Sequence, residues 1–380
     1  MGSINQEADR FDNVRPRFPT TLELLDDDAF REVAGSGAPG ELKHRKERQA
    51  LRDIGVVIIG RNEGERLLRC LASIPDGVRR SVYVDSGSTD GSVQAAQARG
   101  VEVLNLDLSV PFTAARARNA GWQQLLRLEP DLKAILFIDG DCEIVGGFPK
   151  AATESMATAP DIVAVCGVRR ERWPDRTPYN ALCDVEWRSG PIGEARSFGG
   201  DVLIRADALV AVGGYDDSVI AAEDDELGAR LRRKGGRIVR LDVTSTIHDA
   251  AMRGIGQWWQ RAKRCGHAYA QVFDKHGAPP ERYFATEIRR VVLWGMVVPT
   301  TAVVLAVPTM GLSLGLFGIY PVKALRTYQD SRRRGFTVRE SVLWGTSCTA
   351  AKLPEAVGVL TYHFRGLMGR RPTIIEYKAH

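Results

Sequence analysis

Short runs of β-branched and apolar residues alternate with helix-like stretches from Ile54 onward, and this alternation limits the chain to very few folds. "IGVVIIG" reads as a buried strand ending in glycine, and "NEGERLLRCLASI" follows as a helix. "SVYVDSGSTDG" is a second strand, a turn and a helix start; Gly100 closes the helix "SVQAAQARG". "VEVLNL" is a third strand, "TAARARNAGWQQLL" a helix and "AILFIDGD" a fourth strand. Units of roughly thirty residues predict the α/β class, with a mostly parallel sheet flanked by helices. The second half continues with the strand "DIVAVCGVRRERW" and a strand, helix and turn in "GGDVLIRADALVAVGGYDD". Then come the helix "AAEDDELGARLRRKGG" and the strand "RIVRLDVTSTIH", which runs into His248. Ligands of open α/β sheets bind at the carboxyl ends of strands. Arg61, Asn62, Glu63, Asp85, Asp139 and Asp141 all fall at such ends.

The stretch "FIDGDCE" carries the sharpest chemical signal. Extended backbone points residues i and i+2 to one side, so the Asp139 and Asp141 carboxylates converge. Two carboxylates that close repel unless a cation sits between them. Mg²⁺ or Mn²⁺ suits such a pair, because these ions bind through one or two carboxylates plus substrate phosphates. The cation would neutralise a diphosphate leaving group. An isolated Asp-Gly-Asp also reads as a solvated turn; the buried strand before it favours the metal. Six cysteines lie outside metal-ligand spacing, and the polar start carries no cleavable signal, which points to free thiols in a reducing cytosol. Gln6 stands where a myristoylation signal needs Ser or Thr. The net charge is +5, with basic clusters in "KHRKERQALR" and "RTYQDSRRRGFTVR". These suit phosphates or anionic lipid headgroups. No nucleic-acid partner is expected, since zinc-finger and aromatic RNA-binding signatures are missing.

Five stretches together resemble glycosyltransferase family 2, with its A-type glycosyltransferase fold. They are "VVIIGRNE", "VYVDSGSTDG", "ARARNAG", "FIDGDCE" and "VGGYDD" with "AAEDDELGARLRRKG", in order between Ile54 and His248. The resemblance implies a nucleotide-diphosphate sugar as donor, inversion at the anomeric carbon, and a role for each matching residue. Asp85 would hydrogen-bond the base, while Arg61, Glu63 and Arg118 would hold the nucleotide. Asp139 would lie near the ribose or the metal, and Asp141 would hold the metal. Glu223 and Asp224 match the family's acidic pair, with Asp224 as general base. The alternative for four consecutive acids is an acidic first helical turn interacting with the helix dipole. His248 is either a further metal or diphosphate ligand or a structural residue. Gly199, Gly200 and Asp201 would let the backbone approach the donor sugar or acceptor, or form a plain turn. Thr89 and Asp90 read as helix caps.

Val291 to Val322 is a run of 32 uncharged residues, interrupted by Pro299, Pro308 and Gly311. One spanning helix needs about 20 residues and two would need about 40. Arg289 and Arg290 precede the run; Lys323, Arg326 and Arg332 to Arg334 follow it. Positive charge on both flanks favours a re-entrant hairpin with both ends cytosolic over a single crossing. The region divides as lead-in 1–53, catalytic domain 54–250, amphipathic interfacial helices 251–290, apolar hairpin or span 291–322, and basic amphipathic tail 323–380. Processive family members carry Gln-x-x-Arg-Trp before the membrane region, and Gln257-Trp258-Trp259-Gln260-Arg261 departs from it. The expected protein is a transferase at the cytoplasmic face of the inner membrane. Its acceptor would be a lipid-linked saccharide in surface polysaccharide assembly. The competing readings are a non-catalytic assembly subunit and a sugar-phosphate nucleotidyltransferase. The latter lacks its glycine-rich loop and lysine in "GRNEGERL".

Overall fold

The computed structural model describes residues 51–369. The lead-in up to residue 50, with its expected helix "TTLELLDDDAFREVA", and residues 370–380 lie outside the described residues. The first four expected strands form as β1 (Ile54–Gly60), β2 (Arg80–Asp85), β3 (Glu102–Asn105) and β4 (Ala134–Asp139). They pair in parallel in the order β3-β2-β1-β4. Each strand alternates its side chains between two buried faces. Val57 and Ile59 pack on one side with Phe137, Trp122 and Leu125. Val56 and Ile58 pack on the other with Leu67, Ile138 and Phe148.

Beyond β4 the sheet departs from the mostly parallel arrangement expected. β5 (Cys142–Ile144), β6 (Ile162–Glu171), β7 (Gly193–Ala195), β8 (Val202–Arg205) and β9 (Arg237–His248) extend it to nine strands. β8 runs antiparallel to both β4 and β6, and β5 and β7 run antiparallel to β9. Only β6 and β9 in this half are parallel. The sheet is therefore mixed. A four-residue apolar run such as "VLIR" carries no mark of strand direction; its partners alone decide that.

The helices of the first half are α1 (Glu65–Ala72), α2 (Ser92–Gln97) and α3 (Ala114–Leu128). α3 lies close on β1 and β2 because Gly121 has no side chain: a Cβ there would overlap Val57 and stand 3.1 Å from Val84 Cγ2. α4 (Gly147–Ala157) and α5 (Pro178–Arg188) were not marked out in the sequence. α5 has a plain signal in hindsight: Thr177 caps it by accepting from the Asn180 amide at 3.0 Å, and Pro178 opens it. α6 (Ala206–Ala211) and α7 (Glu223–Arg233) precede β9.

The remaining helices are α8 (Ile255–His276), α9 (Ala285–Val292), α10 (Val298–Val304), α11 (Ile319–Arg333), α12 (Val338–Ala350) and α13 (Lys352–Leu367). α8 was expected to be interfacial; its His267, Gln271 and His276 are buried, so it is also part of the core. α8 and α13 meet backbone to backbone. A side chain at Gly266 would run into the Glu355 carbonyl, and one at Gly358 into that of Lys263. The uncharged run folds as a bent hairpin: α9 continues through a wide turn of helix at Leu293–Val297 into α10, and a tight helical segment, Leu312–Gly318, leads back into α11. Ser313 ties the arms by donating to the Ala302 carbonyl at 2.7 Å. No helix among the described residues is long and apolar enough to cross a membrane.

Gly121→Val should destabilise the protein by about 1–3 kcal/mol, the usual cost of forcing extra atoms into a packed core. A lower urea midpoint at unchanged m-value would register it. An unchanged midpoint would mean that α3 can lift off β1 freely.

Candidate active site

α3 positions the central cation. Thr113 caps the helix by accepting from the Arg116 amide at 3.1 Å, and Arg118 follows on the face turned to the strand ends. Arg118 is buried at 2% exposure, which only paired charge makes tolerable. Its Nη2 donates to Asp139 Oδ1 at 2.9 Å and its Nη1 to Glu223 Oε1 at 2.6 Å. Asp224 Oδ1 stands 3.6 Å from Nη1. One guanidinium thus joins the end of β4 to the start of α7. The Tyr215 ring lies 5.4 Å away on another side. Asn119 anchors the "GGYDD" turn that leads towards α7. Its Nδ2 donates to the Tyr215 carbonyl and Asp217, and its Oδ1 accepts from Trp122 and the Tyr215 amide.

Strand pairing positions the second group. β5 runs antiparallel to β9 with Cys142 opposite His248, so Asp141 arrives beside the imidazole. His248 Nε2 is 3.4 Å from Asp141 Oδ2, and both residues are buried. On the other side of the ring, Glu171 Oε2 is 3.8 Å from Nδ1. Glu171 is fixed in turn, accepting from Asn180 Nδ2 and from the Trp173 and Ala250 amides. The Trp187 ring packs edge-on against His248 at 4.6 Å. Asp141, Cys142 and His248 offer donor atoms within 4.8 Å of one another. A carboxylate and an imidazole fit Mn²⁺ or Mg²⁺, with ligand positions left for phosphate oxygens; the thiol is soft and adds little for such ions. The donor set fits the ion that the sequence suggested.

Both groups border one open cavity of about 300 Å³. Arg61, Glu63, Arg118, Asp139, Asp141, Glu223 and His248 all line it, so seven of the residues singled out from sequence converge. Asp224 is not in the lining, but its side chain keeps 14% exposure against 8% for Glu223. Asp85 is also set back: its carboxylate accepts from the Tyr83 hydroxyl and the Gly87 and Ser88 amides, which shapes the turn after β2. Asp201 is buried and holds Arg169, Ser245 and Thr246. Burial would raise its pKa, but Arg169 and the two hydroxyls hold it below the usual aspartate value. Gly200 serves close packing: a Cβ there would stand 2.6 Å from both Arg118 and Asp139. Gly199 is exposed, and a Cβ there would make only ordinary contacts. Asp90 accepts from the Ser92 and Gly64 amides, while the cap position of α2 itself is Gly91.

Sequence reading missed Arg169, Trp187, Arg261 and Arg264, which also line the cavity. Arg169 lies in a strand that read only as core. Arg261 and Arg264 are three apart on α8, a spacing that puts both on one helical face.

Burial pushes the pKa of Asp224 well above the ordinary aspartate range, against the pull of Arg118, and the Glu223 and Asp139 charges add to the rise. Burial pushes Asp225 up to about 6, although hydrogen bonds from Ser197 and Tyr283 pull the other way.

The profile of Glycosyl transferase family 2 matches residues 55–209. The succinoglycan biosynthesis protein ExoA of Rhizobium meliloti (strain 1021) is 30% identical over 217 residues, which covers 53% of this chain and 63% of that protein. A TPR repeat-containing protein of Synechococcus elongatus is 31% identical over 140 residues, or 35% of this chain and 31% of that one. The chain therefore spans less than two thirds of either relative. Among solved structures, a mannosyltransferase from Pyrobaculum calidifontis in complex with GDP-Man and Mn²⁺ superposes with a TM-score of 0.57. The two are 19% identical over 84% of this chain and 94% of that one, a likeness of fold.

Asp225 favours its protonated form in the folded protein, so its share of stability is complete below the ordinary aspartate pKa and is lost as pH rises through about 6. Asp225→Asn should match the parent in acid and exceed it at neutral pH by on the order of 2 kcal/mol. Urea midpoints across that range measure the difference; a gain independent of pH would contradict the assignment.

Proposed function

We propose that this chain, whose residues 55–209 match the profile of Glycosyl transferase family 2, is an inverting, metal-dependent glycosyltransferase. It moves a sugar from a nucleoside-diphosphate donor to a hydroxyl of a lipid-linked saccharide during surface polysaccharide assembly. The observation that carries this reading is the cavity itself. It brings the Asp141–His248 pair and the Arg118–Asp139–Glu223 network to one opening at the carboxyl ends of β1 and β4.

Asp141 and His248 would hold the divalent ion, with Asp139 at its edge. When bound, that ion offsets the charge that develops on the departing diphosphate. Arg61 and Arg169 face the same space and suit phosphate oxygens. Arg118 keeps Glu223 fixed at 2.6 Å and leaves Asp224 at 3.6 Å, and Asp224 Oδ1 accepts no hydrogen bond. An aspartate with a raised pKa, held by Arg118 less closely than Glu223 is, is suited to take a proton from the attacking hydroxyl. Glu223 then acts by holding Arg118, not by moving a proton. The likeness to ExoA, whose printed name is a succinoglycan biosynthesis protein, supports the polysaccharide context.

The hairpin supports attachment to the cytoplasmic leaflet. At its tip Val307 is 88% exposed, Met310 95% and Leu312 84%. Exposed Arg289, Arg290 and Arg326 flank it. α13 adds a stripe of exposed apolar residues at Leu353, Val357, Leu360, Phe364 and Leu367, the spacing of one helical face. Full burial of an exposed side chain of this kind is worth about 1.5–3 kcal/mol, and the half-covered ones gain correspondingly less. A tip that enters one leaflet, with basic flanks at the headgroups, satisfies both groups of residues.

Nucleoside diphosphate release from a panel of UDP-, GDP- and dTDP-sugars, with Mn²⁺ or Mg²⁺ against chelator, tests the chemistry. One donor should turn over with metal only, Asp141→Ala should lose the metal-dependent turnover, and Asp224→Asn should lose about 10²–10⁴-fold, the scale of a positioned acid–base group. No release and no donor binding would leave a non-catalytic assembly subunit as the better reading. Flotation with liposomes tests the membrane reading. The protein should float with anionic vesicles, and a Val307→Asp, Met310→Asp, Leu312→Asp variant should not. Equal flotation of the two would rule the tip out as the contact.

A further inference from the structure

A second cavity, of about 260 Å³, lies between α5, α8, α12 and α13. It shares a wall with the first. α5 turns Glu186 into the second cavity and the next residue, Trp187, into the first; Arg261 of α8 borders both. The wall is a bidentate ion pair, with Arg261 donating to Glu186 at 2.7 and 2.8 Å. The lining is aromatic and polar together. Trp258, Trp344, Tyr179 and Tyr269 supply ring surface. Trp258 donates to the Ser347 hydroxyl at 2.9 Å, and Lys352 pairs with Glu355.

From this we propose that the second cavity is an acceptor subsite that binds one neutral sugar ring. It deepens the glycosyltransferase reading and rests on it. Aromatic faces pack against the C–H faces of a pyranose, and a few fixed polar groups take its hydroxyls. Each cation here already has a carboxylate partner, so a phosphate entering would meet Glu186 and Glu355. A neutral hydroxyl can share these groups as both donor and acceptor. The volume lies just below the usual range of about 300–1,000 Å³ for ligand pockets, which suits one ring and not a longer saccharide. The ring that carries the attacking hydroxyl must enter the first cavity, where Glu223 and its network lie. The second cavity therefore takes the ring behind it, beyond the Arg261–Glu186 wall. α13 supplies both Lys352 and Glu355 of the cavity and the apolar stripe on the outer face. A saccharide that projects from a membrane lipid would reach the subsite along that helix.

Fluorine NMR of the full chain labelled with fluorotryptophan tests this, because the reporters are already in place. Trp258 and Trp344 line the second cavity, and Trp187 lines the first. Substitution of each tryptophan by Phe assigns its signal. The probes are lactose, cellobiose and mannobiose at millimolar concentration, and separately UDP and GDP with Mn²⁺. The disaccharides should shift Trp258 and Trp344 saturably, and Trp187 should move only where the other ring crosses into the first cavity. Cys348→Phe, which fills the cavity, should abolish the shift without lowering Tm. Trp344→Ala should weaken the Trp258 response about two- to tenfold, the scale of one lost aromatic contact. The subsite is refuted if no disaccharide moves Trp258 or Trp344, or if Cys348→Phe leaves the response intact. It is equally refuted if an undecaprenyl diphosphate in detergent shifts them and the sugars do not. A nucleotide response at Trp187 reports on the donor reading separately, so either idea can fail alone.

Discussion

A buried guanidinium needs its charge answered on every side, and Arg118 sets this requirement for the whole site. Three carboxylates come to it from two different elements: Asp139 from the end of β4, and Glu223 and Asp224 from the first turn of α7. Removing any one partner would leave charge unpaired in a low-dielectric interior, a costly state. The network therefore fixes how α7 sits against the parallel half of the sheet. It also separates two neighbouring acids, with Glu223 hydrogen-bonded to Arg118 at 2.6 Å and Asp224 standing off at 3.6 Å.

A second network answers it from the mixed half of the sheet. Asp201 holds Arg169, whose guanidinium lies 3.8 Å from Asp139 Oδ2. Ser245 and Thr246 on β9 hold Asp201 in turn. Two residues further along, the same strand presents His248 to Asp141. Glu171 on β6 stands behind His248 and ties it to α5 through Asn180. The parallel pairing of β6 with β9 thus places both the imidazole and the carboxylate behind it.

The C-terminal helices join this site to the exterior. Glycines at 266, 295 and 358 let α8, the turn after α9, and α13 approach at backbone distance. Such contact leaves little slack between the helices that wall the second cavity and those that carry the exposed apolar surface. Arg261 stands at the meeting point, with one side in each cavity. Movement of the C-terminal helices would therefore be felt at the first cavity through the Arg261–Glu186 ion pair.

The sequence by itself determined the strand ends and what they carry. The alternation from Ile54 to Asp139 set four parallel strands, and three of them, β1, β2 and β4, carry charged residues at the carboxyl end, because period and punctuation are local properties of a chain. The acidic start of α7 was equally legible, as was His248 at the end of β9. Direction in the second half was not, since short runs such as "VLIR" fit either orientation until neighbours are chosen. Nor could sequence tell that Asp85 and Asp201 turn inward to hold structure while Arg169, Arg261 and Arg264 turn to the cavity. Those outcomes depend on which buried charges meet, and such meetings are long-range. Arg118 and Glu223 are 105 residues apart in the chain and 2.6 Å apart in space. Local sequence places a charged group at an element's end; only the folded neighbours decide whether it pairs inward or faces a ligand.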